Sequence, residues 1–463
     1  MRRTVLIVQL AGAALLASAS AAPLPATLPP HPRLILTEAD LQHIHKNVAA
    51  EPLAAQLYTG LLNHAAEITA KGSATGGRGD GVRDVAYTMG LSFRLTKNQT
   101  IGRAGAEALL KIARRPDICK ACLNGNCSSL EANCPGTKCA QNADIRQPDP
   151  LCFGETGEGL AVGLDWLWEA LTASEREEVS HTITTQIMNV YSQGLSRLYT
   201  GAYWFRSADN FNSVVNSGAV LGALAVLDEP NGQAYGDTGR FARDTLQAAL
   251  LALPHGATSM YDDGSYPEGP GYGDFAISHH LAALRGLETT LGMSPSSLNV
   301  SGLANIPRYF VDIGANGFTP SGASYNWGDG GTGSGSWLPV SLARRYADTI
   351  GDGWVYAARR TVEQAIAGGG CQVPTCHNET KGGKEVRKCG KFGGEPSCAM
   401  MLADFDGRGT AADLKELTPS HLYPGTAVGV LRSSWSNRGV WVGLKGGDNS
   451  LQQVSPQPIP ATT

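Results

Sequence analysis

The sequence predicts a mainly α-helical protein that turns β-rich near its C-terminal end, and three observations carry that expectation. Apolar residues recur at helical spacing in DVAYTMGLSFRL (84–95), AGAEALLKIARR (104–115), GLAVGLDWLWEAL (159–171), SVVNSGAVLGALAVL (213–227), FARDTLQAALLAL (241–253) and FAISHHLAALRGLETTL (275–291). Gly- and Pro-rich stretches separate these runs, and no strand pattern is expected before about residue 420. From 425 the texture changes, because GTAVGVLRSSWSNRGVWVGLKGG alternates around Ser-Asn-Arg-Gly as a hairpin does.

The elements follow in order. MRRTVLIVQLAGAALLASASAAP joins two arginines, a short apolar run and an A-x-A spacing at Ala19 and Ala21, so residues 1–21 read as a cleavable secretory signal. A Pro-rich linker at 22–32 precedes LILTEADLQHIHKNV, a helix with Thr37 as N-cap and Asp40 three residues on. Ser174 with Glu177 reads as a second capping box. One helix is expected to end near Pro254 and the next to begin near Phe275. Helices without a fixed period fit a bundle, solenoid or toroid rather than a short-repeat array. The polar tail 448–463 is expected to lack regular structure.

Charge and cysteines narrow the classes. With 37 Lys plus Arg against 41 Asp plus Glu the net charge is −4, which gives no field for nucleic acid. Past residue 21 no stretch is long and apolar enough to span a membrane. The ten cysteines form two even clusters, Cys119, Cys122, Cys127, Cys134, Cys139 and Cys152, then Cys371, Cys376, Cys389 and Cys398. Behind a signal peptide these read as disulfide-stapled loops rather than a metal site. Asn98, Asn126, Asn299 and Asn378 stand in glycosylation sequons.

Three polar stretches stand out for chemistry. YDDGSYPEGPGYGDF (261–275) offers Glu268 and Tyr272 on a backbone stiffened by Pro267 and Pro270. WFRSADNFNSVVNSG (204–218) places Asp209, Asn210 and Asn212 at a helix start, with Asn210 as an amide donor to a bound carboxylate and Arg206 as a nearby cation. SYNWGDGGTGSGSW (324–337) lacks the Gly-Lys-Ser/Thr ending of a phosphate loop, so Trp327 and Asp329 read as groove residues for a sugar. No cofactor is called for.

HPRLILTEADL (31–41), DNFNSVVNSGAVLGALAV (209–226), DDGSYPEGPGYGDF (262–275), YNWGDGG (325–331) and YPGTAVGVLRSSWSNRGVWVGLKGG (423–447) together resemble, in that order, the heparinase II/III-type polysaccharide lyases. The resemblance implies an incomplete (α/α) toroid over 33–370 with a Cys-rich insertion at 117–152. A connecting region at 371–422 and the start of an antiparallel β-sandwich at 423–447 follow. It also implies β-elimination on a uronic-acid polysaccharide, with Asn210 binding the uronate carboxylate and Tyr272 moving the proton. Arg206, Asn212, Glu268, Trp327 and Asp329 would support the substrate. The chain departs from the pattern at Phe211 and Gly273, where some relatives carry histidine. It also departs after Lys445-Gly446-Gly447, where the family continues into a histidine-bearing segment. Two alternatives therefore stand beside the lyase: an inactive or carbohydrate-binding relative, and a glycoside hydrolase using Asp263 or Glu268 with Asp209 or Asp329.

Overall fold

The computed structural model describes residues 27–71, 80–115, 150–196, 203–234, 240–294, 301–313, 325, 327, 337–367, 376–381, 384–389, 397–436 and 439–447. Within them the protein is mainly helical, with a small three-stranded antiparallel sheet at the C-terminal end. The helices are α1 (Glu38–Ala50), α2 (Pro52–Lys71), α3 (Asp80–Asp84, a π turn Val85–Met89, then Gly90–Thr96), α4 (Gln99–Ala113) and α5 (Pro150–Trp166). Next come α6 (Ala173–Thr182, π at Ile183–Met188, then Asn189–Ser196), α7 (Asn210–Val226), α8 (Pro230–Ala234), α9 (Phe241–Ala257) and α10 (Gly269–Leu291). Then follow α11 (Ile306–Ile313), α12 (Leu338–Arg345), α13 (Ala347–Ile350), α14 (Asp352–Ala367) and α15 (Ser397–Asp404). No helix among the described residues is long and apolar enough to cross a membrane.

α7 is the central helix. Nearly all of it is buried, polar in its first half and apolar in its second, and it packs against α5, α9 and α10. Gly154 of α5 and Gly218 of α7 let the two backbones touch, since a Cβ on Gly218 would lie 2.3 Å from the Gly154 carbonyl oxygen. The N-terminal arm is tied to α5. The Asp165 carboxylate oxygens accept the backbone N–H groups of Arg33 and Leu34, and the Trp166 indole donates to Leu34 O at 2.9 Å. Thr37 caps α1 with Asp40 as the sequence suggests.

The second capping box is shifted. Thr172, not Ser174, is the N-cap of α6, and Glu175, not Glu177, closes the box. Arg103 explains the choice, because its guanidinium takes Glu175 in a two-pronged grip, Nη2 to Oε1 at 2.7 Å and Nη1 to Oε2 at 2.9 Å.

Strands also begin earlier than expected, with the antiparallel hairpin β1 (Cys376–Lys381) and β2 (Lys384–Cys389), whose register sets Cys376 opposite Cys389. The charged run HNETKGGKEVRK hid it, since neither face is apolar enough to show a period of two. β3 (Ser420–Tyr423), β4 (Val428–Arg432) and β5 (Trp441–Lys445) form the second sheet, in order and antiparallel. It docks on α11 through buried Asp312, which accepts from Tyr423 at 2.6 Å and meets His421 at 2.7 Å. Arg432 and the Trp441 indole donate to the backbone carbonyl of the same residue.

Candidate functional site

α7 begins where Asp209, extended at φ −109° and ψ −177°, accepts the N–H of Phe211. That leaves other N–H groups of the first turn open. The Asn210 N–H donates to Glu268 Oε2 at 2.8 Å, and the Asn210 amide nitrogen donates to Oε1 at 2.8 Å. Glu268 itself stands at the entry to α10 and makes no cap bond to its own helix. Its carboxylate caps α7 instead, joining two of the stretches singled out in the sequence.

Tyr266, fully buried, adds a third donor to Glu268 Oε2 at 3.1 Å. Burial raises the Glu268 pKa; the Asn210 hydrogen bonds oppose the rise and the charge of Asp209 adds to it. The result is a carboxyl held above its ordinary range, at a helix N-terminus, among neutral donors. Asn210 is almost wholly buried and its carbonyl oxygen accepts no hydrogen bond among the described residues. The expectation for Asn210 needs correcting in one respect: one amide hydrogen is already taken by Glu268, which leaves the other for a ligand.

Asn212 is corrected outright. It is fully buried, with its amide nitrogen donating to Trp204 O, Phe205 O and Ala252 O at 3.0–3.1 Å and its oxygen accepting Gly256 N–H at 3.0 Å. Its task is structural. α9 does not stop at Pro254 but runs through it to Ala257; Asn212 satisfies the Ala252 carbonyl and the Gly256 N–H, which would otherwise pair with each other across the proline.

α10 likewise starts at Gly269 rather than near Phe275, because Pro270 suits a first helical turn. Tyr272 is thus on the helix, four residues from Glu268 and half-buried. Among the described residues its hydroxyl makes no hydrogen bond. Arg206 is exposed on the turn before α7. The Trp327 indole donates to Pro267 O at 3.4 Å, and Trp327 lies beside Tyr309 and Tyr325, so the third stretch reaches the same loop. The sheet reaches it too, where Gly425 N–H donates to Asp263 Oδ2 at 2.8 Å.

Asp329, Asn126 and Asn299 lie outside the described residues, as do residues 1–21, the tail 448–463, and Cys119, Cys122, Cys127, Cys134, Cys139 and Cys371. Asn98 is exposed and caps α4; Asn378 lies in β1. Cys152 and Cys398 are not free thiols.

Sequence reasoning missed two residues. Tyr266 gave no sign beyond its place in the loop. His255 was overlooked because the helix was expected to end before it. It stands half-buried in the last turn of α9, and burial, then the charge of Arg206, lowers its pKa. His279 and His280 are both core residues. His279 joins Arg83 and Tyr87 around Glu158, and burial lowers His280 to about 4. No protein-family model and no curated protein matches the chain.

Proposed function

We propose that the junction of residues 204–212 with 261–272 is the catalytic face of a secreted polysaccharide lyase that cleaves a uronic-acid polymer by β-elimination. In this reading the helices belong to an incomplete (α/α) toroid, and the C-terminal sheet to a sandwich-like domain. The observation that carries it is the Asn210–Glu268 contact, which joins two motifs of the lyase resemblance in one polar site. Elimination requires loss of the proton α to the uronate carboxylate, and that proton is acidic enough only when the carboxylate charge is neutralised. A Glu268 carboxyl inclined to hold its proton can share it with a uronate carboxylate, while the second Asn210 amide hydrogen and Arg206 complete the neutralisation. Tyr272, whose hydroxyl is not engaged by described groups, takes the α-proton or delivers one to the leaving oxygen. Trp327 offers an aromatic face to a sugar ring.

The test is a panel of uronate polysaccharides, followed by ultraviolet absorbance of the unsaturated product. Turnover on at least one member supports the reading; new reducing ends without absorbance refute it. The second reading, a glycoside hydrolase with Glu268 as general acid, is favoured by the raised pKa of that carboxyl, and the same product assay separates the two.

A further inference from the structure

The opposite end of α7, about 25 Å along the helix from Asn210, carries donor groups that the carbohydrate site does not use. His31, Asp228 and Glu229 bring one ligand atom each within 4.8 Å of one another. The His31 ring is stacked on Trp168 at 3.9 Å, and its side chain is 5% exposed. Its Nδ1 lies 2.5 Å from Asp165 Oδ1. Asp165 also accepts two backbone N–H groups, so it is held as an acceptor and fixes the imidazole proton on Nδ1. The lone pair is then on Nε2, which is buried and has no hydrogen-bond partner among the described residues. A carboxylate behind one imidazole nitrogen and a bare lone pair on the other is how metal-ligating histidines are presented.

We propose that His31 Nε2, Asp228 and Glu229 bind a divalent transition-metal ion of the zinc or manganese type, fastening the N-terminal arm to the end of α7. Charge supports it. Three carboxylates, Asp165, Asp228 and Glu229, stand against two guanidiniums, Arg33, which grips Asp228 at 2.6 and 2.9 Å, and Arg94, which lies within electrostatic reach of Asp165; the formal sum is −1. The carboxylate oxygens keep lone pairs beyond those Arg33 uses. The carbonyl end of a helix adds negative potential. Zinc holds its ligands at about 2.0–2.2 Å, so the donors must draw together slightly, and the side chains of exposed Asp228 and half-buried Glu229 are free to turn. The imidazole favours zinc over calcium or magnesium, which prefer all-oxygen shells, and the two carboxylates also admit manganese.

The experiment uses the full chain with disulfides intact, stripped with chelator and titrated separately with zinc and manganese by calorimetry, with melting curves in parallel. One equivalent should bind, and saturation should raise the melting temperature by about 2 °C or more. Glu229→Gln should weaken binding at least about tenfold and His31→Gln should abolish the equivalent. Glu229→Gln alone decides if His31→Gln does not fold. Absence of saturable binding of either ion, or unchanged affinity in Glu229→Gln, overturns the site.

Discussion

Two glutamates, one buried and one half-buried, mark two different uses of the same side chain. Glu158 on α5 is fully enclosed and receives Arg83 Nε at 3.1 Å, the Tyr87 hydroxyl at 2.8 Å and His279 Nδ1 at 2.5 Å. Burial alone would raise its pKa, but Arg83 and then His279 overcome that and hold it at about 2. Glu268, half-buried, also meets a desolvation penalty, but with neutral described donors, Asn210 and Tyr266, and with the charge of Asp209 nearby, and its pKa rises. A cation decides which way a buried carboxyl goes. The first glutamate is a permanent charge that knits α3, α5 and α10; the second is a carboxyl able to hold or yield a proton at the edge of the site.

The contrast is broken most severely by Glu158→Gln, which strands the Arg83 charge in the core and should cost about 3–5 kcal/mol, read by denaturant unfolding. Asn212→Ala comes next, at about 3 kcal/mol, because it removes the buried donor to the Trp204 and Phe205 carbonyls and leaves a cavity in the core. The pH profiles should run in opposite senses. The depressed Glu158 pKa contributes stability that is present above the ordinary value of 4.5 and is lost as pH falls toward about 2, a swing of about 3 kcal/mol. The raised Glu268 pKa contributes stability that is full below its ordinary value and is lost as pH rises through the folded value. Glu268→Gln should therefore remove a small part of the pH dependence and leave stability at neutral pH unchanged or slightly higher. A Glu268→Gln protein as damaged as Glu158→Gln would erase the distinction.

What was legible in the sequence was local. The Thr37 cap, the helix runs and the β4–β5 hairpin each lie within a short window whose own pattern specifies them. What was hidden depends on partners distant in sequence. Asn212 reads as a ligand until its side chain is seen to bond the Ala252 carbonyl and the Gly256 N–H of α9, and the Thr172 box wins over Ser174 only because Arg103 stands across from Glu175. Asn210 and Glu268 were each singled out, but their contact spans 58 residues, and no periodicity announces it. Glu158 drew no attention at all, being one of three acids scattered through a helix of mostly small and apolar residues.

The most direct test of the account compares wild type with Tyr272→Phe on uronate polysaccharides, following unsaturated-product absorbance and the melting temperature together. Because the Tyr272 hydroxyl bonds to no described group, its removal should leave the melting temperature unchanged. Turnover should fall by about 10²-fold or more, as loss of a proton-transferring group requires. Equal turnover in the two proteins, or wild-type cleavage that yields reducing ends without the absorbance, would contradict it.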